Sequence, residues 1–270
     1  MRDLSNDNVV EVNVDGINFL QFKVLLELGV KHGYSLKNDG MDFGHFAENF
    51  SREKESYNRL CSVAGLNSEN VVKGIQKHTD IVKRISSFCT PEEIGEVDGL
   101  ITNKNGIVLA TTNADCILYL LYDKKNKVIG NIHSGWRGSY QRILENGIDI
   151  MINEYGSSCD DIIVCICPSI RKCCFEVGKD VRDMFYDKFS FIDDIDKFIF
   201  KQGDKFFVDT VGINNVLLLK KGIIYFDNGA TTLKPKVLPD AINDYYNNYS
   251  ANAHRGDYDI SLQVDNMYEN

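Results

Sequence analysis

The sequence predicts an α/β protein, because short β-rich runs alternate with segments whose apolar residues recur at helical spacing. Two β-rich runs, 117–122 and 128–132, are separated by the polar turn Asp123-Lys124-Lys125-Asn126 and predict neighbouring strands. Segment 51–64 predicts an amphipathic helix, since its apolar residues are spaced to line one face. Together these observations favour one α/β domain over an all-helical or all-β chain.

The other elements follow in chain order. Further strands are predicted at 71–75, 81–85, 107–112 and 162–166. Further helices are predicted at 140–155 and 177–189, and a strand or helix start at 206–209 leads into a last helix that ends at Lys221. The acidic cluster of Asp193, Asp194 and Asp196 predicts a solvated turn, because its spacing fits no calcium loop.

Composition limits the classes of function. The chain has 270 residues, of which 43% are hydrophobic, and this is enough to bury a substantial core. A net charge of −9 argues against nucleic-acid binding, which requires a basic face. No apolar run approaches the roughly 20 residues that cross a bilayer, so we expect no membrane association. The polar, acidic segment 1–15 does not resemble a secretion signal, and the eight cysteines fit reduced thiols, so we expect a cytoplasmic protein.

A cysteine and two histidines lie beside the predicted strands. Cys116 directly precedes the strand at 117–122, and His133 follows the strand at 128–132, seventeen residues after the cysteine. His78 lies just upstream of the predicted strand at 81–85. Three nitrogen and sulfur ligands suit Zn²⁺ and leave a fourth position for water or substrate. The spacing alone also fits a buried structural cysteine and structural histidines.

Several separated motifs resemble one protein family. They occur in the order Asp98-Gly99-Leu100-Ile101-Thr102, Ala114-Asp115-Cys116, His133-Ser134-Gly135-Trp136-Arg137-Gly138, Cys167-Pro168-Ser169-Ile170 and Phe175-Glu176-Val177-Gly178. Over residues 20–222 the chain resembles the multicopper polyphenol oxidase (laccase domain) proteins. Members of that family are also described as purine nucleoside phosphorylases and as peptidoglycan editing factors. The resemblance implies a single domain of mixed β-sheets flanked by helices, with His78, Cys116 and His133 as metal ligands.

The function that this resemblance implies is a zinc-dependent enzyme acting on purine nucleosides and phosphate. It would convert adenosine, inosine, guanosine or methylthioadenosine to the base and ribose 1-phosphate, and it would deaminate adenosine. Asp115 would carry a proton or orient a ligand histidine, although a turn or cap role fits this residue as well. Arg59 or Arg137 would bind phosphate through the planar guanidinium group, although Arg59 also fits a solvated helix face.

Two other chemistries remain open at this stage. A copper-dependent polyphenol oxidase would need several metals with many histidine ligands, and the five histidines of the whole chain make copper the less favoured metal. A peptidoglycan-precursor editing hydrolase would use the same three ligands and differ only in substrate. The sequence does not separate this hydrolase from the nucleoside enzyme, and it leaves the oligomeric state open.

The sequence changes character from Ile224 onward. The runs Tyr225-Phe226-Asp227-Asn228-Gly229-Ala230-Thr231-Thr232 and Asn252-Ala253-His254-Arg255-Gly256 resemble the N-terminal segment of cysteine desulfurases, which use pyridoxal phosphate. In that family the cofactor-bearing lysine and the sulfur-accepting cysteine come much later, so we expect no functional pyridoxal phosphate site. We therefore predict an enzyme domain over 1–222 and a foreign, poorly packed fragment over 223–270 that is not functional alone.

The junction at 222–224 has its own consequences. A gene fusion, a frameshift or an assembly error would each produce such a change of character. The laccase-domain family normally continues with a cysteine-containing strand and an arginine-bearing tail, which this chain replaces with other sequence. An inactive fusion or truncation product is therefore the non-enzymatic alternative.

Overall fold

The computed structural model describes residues 3–44, 50–223 and 225–227, which fall within one unit spanning Met1–Gly229. The strands are β1 (Val9–Val14), β2 (Ile17–Phe22), β3 (Tyr34–Ser35), β4 (Val71–Val72), β5 (Val82–Arg84), β6 (Gly99–Thr102), β7 (Val108–Leu109), β8 (Ile117–Asp123), β9 (Val128–Ser134), β10 (Ile162–Ile166), β11 (Glu176–Val177), β12 (Ile199–Gln202), β13 (Lys205–Val208) and β14 (Tyr225–Asp227). The helices are α1 (Lys23–Glu27), α2 (Phe50–Ala64), α3 (Pro91–Ile94), α4 (Trp136–Gln141), α5 (Ile143–Tyr155), α6 (Lys179–Phe189) and α7 (Thr210–Lys220).

The main sheet is mixed. Its strand order is β14-β10-β8-β9-β6-β5, in which β10–β14 and β5–β6 are parallel and the other pairs are antiparallel. Smaller sheets have the orders β1-β2-β3, β11-β13-β12 and β4-β7. This arrangement confirms the α/β class with mixed sheets flanked by helices.

The main core lies between one face of this sheet and α5. Alternate residues of β8 and β9, among them Tyr119 and Ile132, point toward Ile148 and Met151 of α5, and all four side chains are fully buried. A second core joins α6 and α7, where Phe185 and Leu217 belong to the same apolar cluster. Because the main core packs directly against β8 and β9, it fixes the positions of the residues at the ends of these two strands.

Most predicted elements are confirmed, with shorter bounds for the small strands. The strands predicted at 71–75 and 107–112 are reduced to the two-residue pair β4 and β7. Residues 206–208 belong to strand β13, and Asp209 is the N-cap residue of the last helix, which begins at Thr210. The prediction of one helix over 140–155 is wrong in one respect, because Arg142 adopts a left-handed conformation with φ 67° and divides α4 from α5.

The N-terminal hairpin was not predicted. β1 and β2 pair in antiparallel register from Val9 opposite Phe22 to Val14 opposite Ile17. Asp15 and Gly16 form the two-residue turn with φ 52° and 76°. Such a turn matches the right-handed twist of the paired strands.

The start of the C-terminal segment belongs to the main sheet. Tyr225–Asp227 pair in parallel with Val164–Ile166 at the sheet edge. The predicted fragment otherwise lies outside the described residues, and the predicted boundary at residue 222 stays a prediction. Among the residues that the structure describes, no helix has both the length and the apolar character that a membrane crossing requires.

Candidate metal centre

The antiparallel pair of β8 and β9 places a thiol and an imidazole at the same end of the main sheet. Leu118 lies opposite His133 in this pair, and Ile117 lies opposite Ser134. Cys116 directly precedes β8, so its thiol lies beside the end of β9 where His133 projects. His133 is buried, whereas Cys116 is partly exposed.

His78 reaches the same place from the loop before β5. Its backbone has φ 60°, a left-handed conformation that few residues other than glycine adopt. Three successive amides hold this loop: those of Lys77, His78 and Thr79 donate to the Asp98 carboxylate at 3.2, 3.0 and 2.7 Å. Consecutive amides that converge on one anion fix a loop in a defined shape, and this shape turns His78 toward the sheet.

The three side chains form a compact group. One ligand atom from each of His78, Cys116 and His133 lies within 4.8 Å of the others. The Cys116 Sγ is 3.8 Å from His78 Nε2, and the two imidazole rings meet edge to face with centroids 5.0 Å apart. One sulfur and two imidazole nitrogens form a donor set that suits Zn²⁺. His78 is exposed, so the group opens to solvent on one side.

Gly135 leaves the space that the group needs. A Cβ atom at this position would lie 2.5 Å from His78 Cδ2 and 3.3 Å from Cys116 Sγ. The first distance is shorter than any van der Waals contact allows, so a side chain here would displace the His78 ring. The Gly135 backbone, with φ −67° and ψ 177°, has a conformation open to any residue. The requirement for glycine is therefore one of space.

Asp98 connects the two histidines. Its Oδ1 accepts a hydrogen bond from His133 Nδ1 at 2.8 Å, which leaves His133 Nε2 directed toward Cys116. Burial alone would raise the pKa of Asp98, but hydrogen bonds from His133, Thr79 and Lys77 lower the pKa to about 2. Burial alone would lower the pKa of His133, but Asp98 and Cys116 raise it to about 9. Surroundings that stabilise a proton on His133 also stabilise a metal cation that replaces this proton.

Asp115 and Asn113 lie on the loop that leads to Cys116. The Asp115 side chain is exposed, and its backbone carbonyl accepts a hydrogen bond from the Ile170 amide at 2.9 Å. The Asn113 amide donates to the carbonyls of Cys116 and Pro168 at 2.5 and 3.2 Å. These bonds join the Cys116 loop to the segment that follows β10, so the thiol is held from two directions.

The two candidate arginines have different surroundings. Arg137 lies in the first turn of α4, four residues after His133, and its guanidinium stacks on the Trp136 ring at 4.3 Å while remaining exposed. Arg59 lies on α2, is partly buried and donates to the Asp39 carbonyl at 3.2 Å. Arg137 is therefore close to His133 in the chain, whereas the approach of Arg59 to the metal centre stays a prediction.

The sequence matches a family model over most of its length. Residues 30–237 match the family described as multi-copper polyphenol oxidoreductase laccase. The chain belongs to this family.

Curated relatives of this laccase family carry nucleoside-enzyme names. A protein of Bacteroides thetaiotaomicron named purine nucleoside phosphorylase is 32% identical over 172 residues, which span 58% of this chain and 64% of that protein. Adenosine deaminase RL5, from an unknown prokaryotic organism, is 32% identical over 133 residues, which span 47% of this chain and 50% of that protein. The chain thus matches between half and two thirds of the length of these relatives.

A solved structure has the same fold as this protein. The crystal structure of the Bacillus licheniformis hypothetical protein YfiH superposes with a TM-score of 0.64 at 19% identity, covering 83% of this chain and 86% of that one. At this identity the likeness shows the fold alone. Residues 224–270 separately match the class-V aminotransferase family, so the two family matches overlap over 224–237.

The sequence did not predict that Asp98 and Gly135 shape the candidate metal centre. Asp98 occurs in one of the motifs that carry the resemblance, yet its place in the sequence gives no sign that its carboxylate binds the 77–79 loop and His133. Gly135 lies between His133 and the first turn of α4, and a glycine two residues after a candidate ligand is the one sequence signal for its role. The structure brings together His78, Cys116 and His133 as expected, while their role as metal ligands stays a prediction.

Proposed function

We propose that the protein is a zinc-dependent enzyme that acts on purine nucleosides. It cleaves adenosine, inosine, guanosine or methylthioadenosine with phosphate, and it deaminates adenosine. The proposal rests on the group of His78, Cys116 and His133, which is fixed by Asp98 and open to solvent on the His78 side. The names of the relatives, purine nucleoside phosphorylase and adenosine deaminase, support the substrate class.

The three ligands favour one metal ion rather than a copper cluster. Within the described ranges, the arrangement of histidine, cysteine and carboxylate side chains that suits an ion is this single group. Copper oxidation of phenols needs several coppers with many imidazole ligands. Zinc held by these residues would supply Lewis acidity and lower the pKa of a water toward neutrality.

Asp115 is our candidate for moving a proton in both reactions. In deamination, water replaces the amino group of the purine, and a proton passes from the water to the departing ammonia. In phosphorolysis, a phosphate oxygen bonds to the sugar carbon, the bond to the purine nitrogen breaks, and that nitrogen takes the proton that the hydrogen phosphate loses. An exposed carboxylate next to Cys116 accepts and returns this proton without being a metal ligand.

Of the two candidate phosphate ligands, we favour Arg137. Its guanidinium is exposed, and its stacking on Trp136 orders the side chain before a ligand arrives. A planar guanidinium donates two parallel hydrogen bonds to a phosphate. Arg59 would have to exchange its bond to the Asp39 carbonyl for the phosphate.

The test is metal content and turnover of the purified chain. We expect about one zinc per chain, together with phosphate-dependent release of adenine from adenosine or formation of inosine. Cys116→Ala should lose both the zinc and the turnover. Cys89→Ala is the matched control, because Cys89 is also a partly exposed free thiol but hydrogen bonds to the Ser87 carbonyl outside the group.

Each other result would contradict part of the proposal. A folded protein that binds zinc but leaves adenosine, inosine and guanosine intact would refute the nucleoside reaction and turn attention to peptidoglycan precursors. Copper in place of zinc, with oxidation of a phenol, would refute both the metal and the substrate. A folded protein that binds no metal and turns over nothing would identify this chain as an inactive fusion product.

A further inference from the structure

Cys173 and Cys174 are neighbours in the chain, and both side chains are exposed free thiols. Their Sγ atoms lie 3.3 Å apart. The other cysteines of the chain are buried or partly buried. Neither residue of the pair belongs to the candidate metal centre, whose ligand atoms come from His78, Cys116 and His133. The pair is therefore a second cluster of sulfur atoms, and it is open to solvent.

A tight turn holds the two thiols side by side. The amides of Cys174 and Phe175 both donate to the Arg171 carbonyl, at 2.8 and 3.0 Å. After the turn, Phe175 packs against the second core, and Glu176–Val177 form strand β11, which pairs with β13. The backbone around the pair is thus ordered before any ligand arrives, and this lowers the entropic cost of closing a ring through both sulfurs.

The distance between the two sulfurs fits one bridging atom better than a direct bond. A disulfide usually joins residues whose Cα atoms are at least ~4.4 Å apart, whereas a trans peptide places adjacent Cα atoms about 3.8 Å apart. Bonds of ~2.3 Å from each sulfur to a soft atom would span the observed 3.3 Å at an angle of about 90°. A pyramidal three-coordinate atom has such an angle, whereas a tetrahedral zinc ion would hold its sulfurs ~3.8 Å apart.

The surroundings of the pair supply two sulfur ligands and no complete metal site. Within the described part of the chain, the side chains that could give an ion three protein ligands are those of the other site. Glu176, the nearest carboxylate in the sequence, pairs with Lys205 at 2.7 Å. The occupant must therefore carry its third substituent itself. We propose that Cys173 and Cys174 bind a trivalent organic arsenic compound as a dithiol chelate.

Binding is an exchange of groups at arsenic, which stays trivalent throughout. An organic arsenous acid carries two hydroxyl groups. Each thiol gives its proton to one of them, so that two arsenic–oxygen bonds break, two arsenic–sulfur bonds form and two water molecules leave. The contact with Cys173 raises the pKa of Cys174, so this sulfur retains the proton that the exchange requires.

Phenylarsine oxide, added to the full chain in excess mercaptoethanol, is the probe, and intact-mass spectrometry is the readout. The monothiol competes for arsenic and keeps the cysteines reduced. The parent protein should retain a single phenylarsenic adduct, which the dithiol dimercaptopropanol should remove. Cys173→Ser and Cys174→Ser each leave one sulfur. Each should weaken binding ~100-fold or more, because the second bond of a chelate forms within one molecule.

Three controls locate the adduct. Cys89→Ser should leave the affinity unchanged, because Cys89 is a partly exposed thiol with no cysteine beside it in the sequence. Cys116→Ala should lose zinc but keep the adduct, whereas Cys173→Ser should keep zinc and lose the adduct. Because both residues of the pair are exposed, their serine variants should retain the melting temperature of the parent protein.

Three results would overturn the proposal. The pair does not act as a chelate if mercaptoethanol removes the adduct as easily from the parent protein as from Cys173→Ser. The arsenic compound binds at the candidate metal centre instead if Cys116→Ala loses the adduct or if adduct formation releases zinc. A reduced parent protein that takes up no arsenic would show that the turn does not let both sulfurs reach one atom.

Discussion

The Asp98 carboxylate carries hydrogen bonds to both histidine ligands of the candidate metal centre. One oxygen receives His133 Nδ1, and both oxygens receive the amides of the loop that carries His78. Its side chain is fully buried. A residue of this kind binds no metal itself but determines where two ligands lie.

Asp98→Asn is therefore expected to weaken zinc binding by roughly 10–100-fold, the usual effect of losing a partner of a ligand histidine. The amide keeps the shape of the side chain but replaces one acceptor oxygen with a donor that would face backbone N–H groups. Chelator competition measures the zinc affinity. Asp123→Asn is the matched control, because buried Asp123 also accepts two backbone amides, from Lys125 and Asn126, outside the metal centre.

The control distinguishes an effect on the positions of the metal ligands from an effect on the stability of the fold. Both substitutions should lower the melting temperature, whereas only Asp98→Asn should lower zinc affinity. Equal zinc affinity in Asp98→Asn and the parent protein would show that the 77–79 loop and His133 keep their places without this carboxylate.

Gly135→Ala should lower zinc affinity by roughly tenfold or more, because metal sites tolerate ligand displacements of only about 0.5 Å. The added methyl group would lie 2.5 Å from the His78 ring, so that ring must move. Chelator competition measures this affinity too. Gly33→Ala is the control, since its Cβ would meet Ala64 Cβ and Phe19 Cδ2 at 3.4 Å, an ordinary contact distance. Unchanged affinity in Gly135→Ala would mean that His78 is not a ligand.

The sequence predicts single residues of the site to different extents. Cys116 and His133 flank two clear strands, so their proximity follows from the antiparallel pairing that those strands predict. The partners of Asp98 lie about twenty residues before it and 35 residues after it, and no local pattern relates these segments. The spatial role of Asp98 therefore required the structure.

At the scale of elements, two features were not predicted: the β1–β2 hairpin and the break between α4 and α5. They differ in whether the sequence carries a signal for them. The β1–β2 turn has an Asp-Gly pair, which is a known local signal for a two-residue turn. The break at Arg142 has no such signal, because arginine is a good helix former and rarely adopts the left-handed conformation that divides α4 from α5. The first feature was accessible from the sequence, and the second was not.

Asp209→Ala should destabilise the protein by about 1 kcal/mol, the usual cost of removing an N-cap side chain. Asp209 Oδ1 accepts the Gly212 amide at 2.8 Å at the start of α7. Residues of α7 enter both cores, with Leu218 in the main core and Leu217 in the second. Loosening the first turn of α7 would therefore weaken the packing of both cores. Chemical denaturation measures the change in the free energy of unfolding.

The control for this prediction is Asp187→Ala, an exposed aspartate within α6. This change should alter the free energy of unfolding by less than about 0.5 kcal/mol, as is usual for exposed positions. A loss of the same size in both variants would show that the cap does not stabilise α7.

At the scale of the whole molecule, the end of the laccase-family match and the start of the aminotransferase match share residues 224–237. The structure places Tyr225–Asp227 at the edge of the main sheet, in parallel with β10. A strand at a sheet edge is held mainly by backbone hydrogen bonds, and these depend little on side-chain identity. Sequence resembling another family is therefore compatible with this position, which the sequence analysis did not anticipate.

Two shortened chains test this arrangement. A chain ending at Gly229 keeps β14, so its melting temperature and zinc content should equal those of the full chain if 230–270 contributes nothing. A chain ending at Ile223 leaves Val164, Cys165 and Ile166 without their edge partner. We expect its melting temperature to fall by roughly 4–8 °C, which corresponds to a loss of ~2 kcal/mol. Equal melting temperatures for the two shortened chains would mean that β14 does not stabilise the sheet. If the chain ending at Gly229 is less stable than the full chain, residues 230–270 stabilise the residues before them. That result would contradict the prediction of a poorly packed C-terminal fragment.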